Sequence, residues 1–404
     1  MATDAQDRSM HICLVIGSPY PPAPHGGVGS FAKDLAEGIV KRRHKATVIC
    51  KITNDDNQSG QVQTETTNGV RVVRVPKKFD KFPPRLRFIT SKFYLSKLIR
   101  EIFKEDPFDL IEGEDGGGLL ALGRLPRVPK VIRLHATTIY NDYVLKRKPS
   151  RLNHILEYLW IRRADFIIAV SEYVGKTTLK LTGLDKTRKY ETIQYAIDTT
   201  LFAPDPEIIP QKGLIIFTGV TAPRKGVLEL IQAMNIVFEK HPHARLWIIG
   251  DDKYRHEGSF FIMKALSLLR DEFKRRVEVL GNRSRSELPA LLQQAEVCCF
   301  PSHVETFGIG IAEAMAVERP VIFMSHGPGP EVVEDGVSGL LCNTWDPEDI
   351  AVKVNYLLEN PEQAQKMGTS GRMRVLEKFE RETWIERNIA FYQKCIGIFN
   401  PRKL

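Results

Sequence analysis

The chain has 404 residues, of which 43% are hydrophobic and 26% charged, and its formal net charge is +9. This composition is ordinary for a soluble globular protein, and the length predicts two domains rather than one compact core. No apolar run of about 18 residues occurs, which disfavours a transmembrane helix. The positive charge comes without a recognised nucleic-acid-binding motif, so no nucleic-acid partner is expected.

The first half of the chain alternates short apolar runs with helical patterns. Such an alternation predicts a doubly wound parallel sheet, with ligand-binding loops at the carboxyl ends of its strands. The predicted strands cover 12–17, 47–52, 70–75, 109–112, 130–134 and 166–170, and the predicted helices cover 30–40, 91–104 and 151–163.

Residues 198–212 contain three prolines and indicate a linker. The alternation then restarts, so a second doubly wound domain is predicted, and the two domains are expected to face each other across a cleft. The predicted organisation is a first domain over 1–200, a linker over 201–212, a second domain over 213–380 and a helix over 381–404 that crosses back to the first domain. The second domain's predicted strands cover 214–218, 245–249, 277–280, 296–300 and 320–323, and its helices cover 226–239, 260–273, 286–294, 308–317, 330–335 and 361–378.

Basic residues stand among large apolar side chains between positions 85 and 100. This pattern suits contact with anionic lipid or with an acidic molecule. The alternative is an amphipathic helix that packs on its own domain and leaves its basic face in solvent. The basic residues are Arg85, Arg87, Lys92, Lys97 and Arg100.

The six cysteines lie mostly in apolar, strand-like runs and show no C-x-x-C spacing. They are interpreted as buried free thiols in a reducing compartment. Residues 1–9 are polar and lack the apolar core of a secretory signal peptide. A cytoplasmic location is therefore expected.

The most informative segment is Pro301–Ala316, in which a helix is expected to begin near Gly308. Glu305 then lies in the loop before the helix and Glu313 in its second turn, so both side chains can face one crevice. The N–H groups of the first helical turn favour an anion there. Two carboxylates that accept hydrogen bonds from hydroxyls, beside an anion site, suit a sugar joined to a nucleotide diphosphate. The alternative is a pair of solvated glutamates at an ordinary turn.

Three other loops follow predicted strands. Gly26 and Gly27 allow backbone N–H groups to approach an oxyanion closely. His135 ends a strand and can hydrogen-bond a substrate hydroxyl, although a structural histidine is the alternative. Arg224 and Lys225 precede a helix and can neutralise a diphosphate, although a solvated basic pair is the alternative.

No D-x-D sequence occurs in the chain. A pair of aspartates at that spacing is the usual means of holding a divalent metal on a nucleotide-sugar diphosphate. Charge neutralisation by Arg224, Lys225 and the helix start at Gly308 is expected instead, with no metal required.

Taken together, these segments resemble the GT-B glycosyltransferases of the large retaining family 4. The Gly-Gly loop, His135, the run Ala164–Glu172, Lys225-Gly226 and Glu305–Ala316 stand in that family's order. The agreement covers nearly all of residues 10–395. The resemblance implies two Rossmann-like domains and transfer of a hexose from a nucleotide-diphosphate sugar to an acceptor hydroxyl, with retention of configuration.

The resemblance also implies roles for individual residues of the second domain. Glu305 would contact hydroxyls of the donor sugar and Glu313 the ribose hydroxyls. The diphosphate would be held by Lys225 and by backbone N–H groups of three residues, Phe307, Gly308 and Ile309. The family commonly has Gly-Arg at the position of Gly219-Val220, so Arg224 is expected to replace the missing arginine.

In the first domain, the resemblance places Gly26 and Gly27 against the donor phosphate and His135 beside the reacting sugar. Glu114 and Asp115 resemble an acidic strand end that some members place near the acceptor.

The expected donor is a UDP-sugar, with GDP- and ADP-sugars as alternatives. The expected acceptor is a glycan or a lipid-linked molecule, in glycan or glycolipid biosynthesis, and segment 85–100 adds peripheral contact with an anionic inner membrane face. Two other functions stay open, namely a GT-B nucleotide-sugar epimerase or hydrolase and a non-catalytic sugar-nucleotide-binding subunit. The presence of Glu305, Lys225 and His135 favours transfer.

Overall fold

The computed structural model of the chain describes residues 9–21, 27–51, 61–76, 83–252, 255–256 and 259–400. The chain divides into two compact units, one formed by Met1–Ile193 with Glu382–Leu404 and the other by Gln194–Arg381. The carboxy-terminal segment therefore belongs to the first unit although it follows the second in sequence.

The first unit is built on an eight-stranded sheet with the order β3-β4-β2-β1-β5-β6-β7-β8. All pairs are parallel except β3 with β4. Its strands are β1 (His11–Val15), β2 (Lys45–Lys51), β3 (Gln63–Thr67), β4 (Val70–Val75), β5 (Leu110–Glu114), β6 (Lys130–Leu134), β7 (Phe166–Ala169) and β8 (Glu191–Thr192). Its helices are α1 (Gly27–Lys41), α2 (Pro84–Glu105), α3 (Thr138–Val144), α4 (Arg151–Arg163), α5 (Glu172–Leu181) and α13 (Arg381–Ile398).

The second unit is built on a six-stranded parallel sheet with the order β13-β10-β9-β14-β15-β16. Its strands are β9 (Leu214–Thr218), β10 (Arg245–Ile249), the short hairpin β11 (Arg255–His256) and β12 (Ser259–Phe260), β13 (Val277–Gly281), β14 (Val297–Cys299), β15 (Val321–Met324) and β16 (Leu340–Cys342). Its α-helices are α6 (Val227–Lys240), α7 (Phe261–Leu266), α8 (Leu288–Gln293), α9 (Ile309–Ala316), α10 (Gly329–Val332), α11 (Pro347–Glu359) and α12 (Pro361–Lys378), with 3₁₀ turns at Pro223–Lys225 and Asp271–Arg276.

Both sheets have the doubly wound order, because in each unit the first parallel strand lies between the second and the fourth. The central strands are buried on both faces, as all five residues of β1 and of β6 are. Burial on both faces is what a parallel sheet covered by helices on both sides produces. In such sheets the strand order reverses between the first and fourth strands, and ligands bind at that point beyond the carboxyl ends.

One predicted helix, over 260–273, is wrong, because α7 ends at Leu266 and a 3₁₀ turn follows at Asp271–Arg276. The Ser267 hydroxyl donates to the Lys264 carbonyl at 2.8 Å and closes the helix. The Arg270 N–H then donates to the Asn235 side chain of α6 at 2.9 Å, which pulls the chain out of the helical path. Several described elements have no counterpart among the predicted ones, including β3, α3, α5, β16 and α11.

Helix α13 is attached to the sheet of the first unit by a buried polar network. The Arg133 guanidinium donates to both carboxylate oxygens of Glu112, at 2.6 and 3.0 Å. From α13, Asn388 accepts from Arg133 at 2.6 Å and the Tyr392 hydroxyl donates to Glu112 at 2.7 Å. Each of these four residues is at most 3% exposed. The buried network therefore specifies how α13 packs on β5 and β6.

The basic segment forms helix α2, which begins at Pro84, earlier than predicted. Leu95, Leu98 and Ile99 face the core, as an amphipathic helix packed on its own domain requires. Lys92 is also buried, with 4% of its surface exposed, so the basic residues do not all lie on the solvated face. None of the described helices is long and apolar enough to cross a bilayer.

All six cysteines are buried and carry free thiols, which confirms that part of the interpretation.

Candidate active site

The predicted residues of the second unit gather where its strand order reverses. Strands β9 and β14 are neighbours, with Val297 paired to Ile215 and Cys298 to Ile216. The loop after β9 leads into the 3₁₀ turn at Pro223–Lys225, and the loop after β14 leads to α9. The doubly wound order therefore places these two loops side by side, although about 80 residues separate them along the chain.

An ion pair between Lys225 and Glu305 joins the two loops. The two side chains are 18% and 13% exposed, so both are largely withdrawn from solvent. The Ser302 hydroxyl also donates to Glu305 Oε1, at 3.0 Å. The carboxylate is thus fixed by a cation and a hydroxyl.

The backbone locks the same two loops together. The N–H groups of His303 and Val304 donate to the Arg224 carbonyl, at 2.9 and 3.3 Å. Gly226 has a φ of 66°, and a Cβ atom there would lie 1.9 Å from the Pro301 carbonyl oxygen. Only glycine permits this approach, which sets the position of Lys225 relative to the Glu305 loop.

Helix α9 begins directly after this loop. Gly308 precedes it with a φ of 106°, and a Cβ atom there would lie 2.9 Å from both Ile311 Cδ1 and Phe323 Cζ. The Phe307 ring is fully buried against Tyr195 and Phe379. The buried ring and the glycine together fix the start of the helix. The N–H groups of the N-cap residue Gly308 and of Ile309 have no acceptor within the helix, and Phe307 directly precedes them.

Glu313 lies in the second turn of α9 and is 8% exposed. Its Oε1 atom lies 3.5 Å from Nη2 of Arg285, which follows strand β13. Arg285 was not among the predicted site residues, since nothing in its local sequence distinguishes it from a solvated arginine.

The arginine expected to replace the family's diphosphate contact is exposed. Arg224 contributes its carbonyl group to the backbone lock and extends its side chain to solvent, and Val220 is 40% exposed in the preceding loop.

His303 supports the Glu305 loop from behind and was not predicted. Its ring is buried, lies 3.1 Å from both Thr344 Oγ1 and Glu229 Oε2, and stacks on Trp345 at 3.5 Å between ring centroids. Its carbonyl oxygen is 3.0 Å from His326 Nε2. These partners come from three distant segments, so no local sequence signal could have identified the network.

In the first unit, His135 follows β6 and is 6% exposed. Its ring packs edge-on against Phe31 of α1, with centroids 4.9 Å apart. Burial, and after it the charge of Arg133, lowers the pKa of His135 from 6.5 to about 3. The imidazole is therefore neutral near pH 7 and can share a hydrogen bond without carrying charge.

The predicted Gly-Gly loop is only partly described. Gly27 is exposed at the first position of α1, whereas Gly26 lies outside the described residues.

The two predicted acidic residues at the end of β5 lie in different environments. Asp115 is 2% exposed and accepts a hydrogen bond from the Ala136 N–H at 3.0 Å, so it ties the β5 and β6 loops together. Glu114 is partly exposed. Burial raises the pKa of the Glu114 carboxyl group to about 7, against the opposing effects of the Gly17 N–H, Lys51 and Lys92.

Within the described ranges, no three His, Cys, Asp or Glu side chains are arranged to hold a metal ion.

Two protein-family models match the chain. The model for Glycosyltransferase Family 4 matches residues 25–201, and the model for Glycosyl transferases group 1 matches residues 199–374. Glycogen synthase of Mycobacterium tuberculosis is 25% identical over 388 residues, which cover 92% of this chain and 91% of that protein. A GDP-mannose-dependent alpha-(1-6)-phosphatidylinositol monomannoside mannosyltransferase of Mycolicibacterium smegmatis is 24% identical over 392 residues, covering 92% and 95%.

Solved structures share the fold. Sucrose-phosphate synthase from Thermosynechococcus elongatus superposes with a TM-score of 0.80 at 20% identity, covering 96% of this chain and all of that one. Anabaena HepE in complex with UDP superposes with a TM-score of 0.75 at 20% identity, covering 95% and 100%. The predicted fold class, two Rossmann-like doubly wound domains of the GT-B type, is confirmed.

Proposed function

Because the chain belongs to the GT-B glycosyltransferases of family 4 (group 1), we propose that it moves a hexose from a nucleotide-diphosphate sugar to an acceptor hydroxyl with retention of configuration. The observation that carries the proposal is the Lys225–Glu305 pair, which lies beside the start of α9 where the strand order of the second unit reverses. A cation, a carboxylate and the N–H groups at a helix start are the chemistry that a sugar diphosphate needs.

The Lys225–Glu305 pair suggests how the donor is recognised. The two side chains neutralise each other. A bound donor offers each a new partner, because the diphosphate attracts the ammonium group and the sugar hydroxyls donate to the carboxylate. The N–H groups of Phe307, Gly308 and Ile309 add an anion site at the helix start.

Glu313 is assigned to the ribose hydroxyls. The Glu313 carboxylate lies near Arg285, in the loop that follows β13. The nucleoside would therefore lie between that loop and α9. Arg224, exposed beside Lys225, is assigned to the outer side of the diphosphate.

The proposed reaction is a front-face displacement. The acceptor oxygen bonds to the anomeric carbon as the bond from that carbon to the diphosphate oxygen breaks. The acceptor proton passes to the departing diphosphate, so no side-chain base is required. The protein's contribution is electrostatic, because Lys225 and the helix start stabilise the charge that develops on the leaving group.

Roles in the first unit are assigned from the family resemblance. Gly26 and Gly27 would contact the donor phosphate, and His135 would border the reacting sugar as a neutral hydrogen-bonding group. Glu114 and Asp115 are assigned to the acceptor side, with Glu114 as the direct contact because its carboxyl group is the more accessible of the two.

A UDP-sugar is proposed as the donor, with GDP- and ADP-sugars as alternatives. A relative whose name specifies GDP-mannose and a structural neighbour in complex with UDP support a nucleotide sugar and leave the base open. The acceptor is proposed to be a glycan or a lipid-linked molecule. We further propose a metal-independent cytoplasmic enzyme, with peripheral membrane contact through α2.

The test is a panel of UDP-, GDP- and ADP-sugars, scored by thermal stabilisation of the protein and by slow hydrolysis of the donor. Glu305→Gln and Lys225→Met are expected to lose the stabilisation and to lower the rate by about 10²-fold or more. Lys240→Met is the matched control, because Lys240 forms an exposed pair with Glu359 in the same unit.

The outcomes distinguish the candidate functions. One stabilising donor, lost in both site variants and kept in the control, would support the donor site and identify the sugar. Rapid donor conversion without any acceptor would replace the proposal by a hydrolase or epimerase. Failure of every sugar nucleotide to stabilise the wild-type protein would overturn it.

A further inference from the structure

A second polar niche lies in the first unit, at the carboxyl ends of β1, β2 and β5. Strand β1 lies between the other two, and the strand order reverses between β1 and β5. Lys51 is the last residue of β2, Glu114 is the last residue of β5, and Gly17 lies two residues beyond β1. The niche therefore occupies the position in this sheet that the Lys225–Glu305 pair occupies in the other unit.

The Glu114 carboxylate and the Lys51 ammonium group both lie near the Gly17 backbone. A Cβ atom added to Gly17 would lie 2.2 Å from Glu114 Oε1 and 3.5 Å from Lys51 Nζ. At Gly116, a Cβ atom would again lie 3.5 Å from Glu114 Oε1. Because Gly17 has no side chain, the Glu114 carboxylate can lie against its backbone. Gly17 is partly exposed and Gly116 is exposed, so this cluster lies at the surface of the unit.

A buried cation points to the same place. Lys92 of α2 is 4% exposed, and its ammonium group lies 4.0 Å from the centre of the Phe88 ring. That ring packs against the backbone after β5, since a Cβ atom on Gly117 would lie 3.2 Å from Phe88 Cζ. Within the part of the chain that the structure describes, Lys92 has this ring contact and no hydrogen bond or ion pair.

The nearby carboxylates are engaged elsewhere. Glu157 of α4 is fully buried and accepts hydrogen bonds from the N–H groups of Gly117, Thr138 and Ile139, at 2.8, 2.8 and 3.1 Å. Asp115 accepts from a backbone N–H of the β6 loop. A buried ammonium group is costly when no carboxylate is within ion-pair distance, and among the described residues none is for Lys92, so folding alone does not explain it.

We propose that this niche binds a phosphate monoester carried by the acceptor, with Lys92 and Lys51 as its cationic contacts. The inference rests on the proposed transferase function and specifies the acceptor's chemical class. Two ammonium groups match the two negative charges of a phosphate monoester, whereas a carboxylate would leave one of them unpaired. The exposed backbone at Gly116 lets a phosphate approach this cluster from solvent.

Glu114 makes the binding dependent on protons. Because burial raises its pKa to about 7, an arriving phosphate dianion is expected to drive protonation of this carboxyl group. The neutral form can then donate to a phosphate oxygen. The charged groups near Glu114 are Lys51 from β2 and Lys92 from α2, and the neighbouring carboxylates are those of Asp115 and Glu157.

The first test uses the full chain, isothermal titration calorimetry and inorganic phosphate near pH 7. Lys92→Met and Lys51→Ala are each expected to weaken phosphate binding by about tenfold or more, the loss of one charge-assisted contact. Lys97→Met is the matched control, because Lys97 is an exposed residue of the same helix. The phosphate titrations are also made in the Lys225→Met background, because the proposed donor site is itself an anion site. Phosphate binding that remains in that background is assigned to the niche, and the effects of Lys92→Met and Lys51→Ala are measured on it.

Titrations in buffers of different ionisation enthalpy measure proton uptake. The wild type is expected to take up protons as phosphate binds, and Glu114→Gln is expected to bind phosphate without that uptake. Binding that survives both Lys92→Met and Lys51→Ala, or the absence of any phosphate binding, would overturn the proposal.

The source of the phosphate is distinguished by two further probes. Glucose 6-phosphate represents a soluble acceptor, and vesicles of phosphatidic acid in phosphatidylcholine represent a lipid-linked one. If either probe binds more tightly than inorganic phosphate and Lys92→Met removes that binding, the result supports the niche and identifies the source of the phosphate. Donor-induced stabilisation measured in the same variants keeps the two proposals apart, since Lys92→Met should retain it even where the phosphate site is lost.

Discussion

Replacing Lys92 with methionine is expected to stabilise the first unit, because it replaces a buried charged side chain with an uncharged one. Burial lowers the pKa of Lys92 from 10.5 to about 8, with further lowering by Lys51 against the attraction of Glu157 and Glu114. Since one pKa unit corresponds to about 1.36 kcal/mol, holding the charged amine in the folded state costs roughly 3 kcal/mol relative to the unfolded chain. Methionine has a similar length and no charge, so it should recover most of that free energy.

The effect should depend on pH in a defined direction. Below about pH 8 the lysine is protonated in both folded and unfolded states, so the full cost is present. Between about pH 8 and 10.5 the folded state loses its proton first, the unfolded state binds more protons, and the wild-type stability rises. The advantage of Lys92→Met should therefore be largest near neutrality and disappear above about pH 10.5.

The measurement is hydrogen exchange across a urea series, followed by mass spectrometry of peptides from α2 and β5. A local probe is needed because a two-domain chain need not unfold in one step. Lys97→Met serves as the control, and it should change stability by less than about 0.5 kcal/mol because Lys97 is 67% exposed. A Lys92→Met protein that is less stable near pH 7, or an advantage that does not change with pH, would refute the reasoning.

Three further predictions concern other parts of the chain. Gly226→Ala would place a Cβ atom 1.9 Å from the Pro301 carbonyl oxygen and should separate the two loops of the candidate site; calorimetry should show donor binding weakened by about tenfold or more, and unchanged affinity would contradict this. Because the pKa of His135 is about 3, this side chain should not titrate above about pH 5. The pH–rate profiles of the wild type and of His135→Gln should therefore have the same shape above that pH. Tyr392→Phe leaves the buried Glu112 carboxylate with one donor fewer and should destabilise α13 by about 1–3 kcal/mol in urea-dependent exchange; exchange equal to the wild type would show that the hydroxyl is dispensable.

The parts of the site that could be predicted from sequence are those with a local signal. Glu305 and Glu313 stand in a strand–loop–helix segment whose apolar runs and glycines predict its geometry, and the structure places Glu305 before α9 and Glu313 in its second turn. The meeting of Lys225 with Glu305 is a long-range contact. It follows nevertheless from the doubly wound strand order, which makes β9 and β14 neighbours and aligns their following loops.

The parts that could not be predicted depend on contacts between distant segments. His303 is held by side chains from α6 and from the loop after β16, and those partners become neighbours only in the folded unit. Lys92 stands in a segment whose periodicity predicts a solvated basic face, yet packing of α2 buries it. The predicted helix over 260–273 failed for the same reason, because the Arg270 N–H donates a hydrogen bond to the Asn235 side chain of α6, which diverts the chain there.

The position of α13 has a consequence for the order in which the protein can mature during its synthesis. The ribosome releases the chain from its amino terminus, so β5 and β6 emerge long before the helix that covers Glu112 and Arg133. Until Asn388 and Tyr392 have been translated, that buried ion pair lacks two of its hydrogen-bonding partners. The second unit is continuous in sequence, and it can finish folding first. The amino-terminal unit is begun first and completed last, and a nascent chain stopped before α13 would expose a charged sheet face to chaperones and proteases.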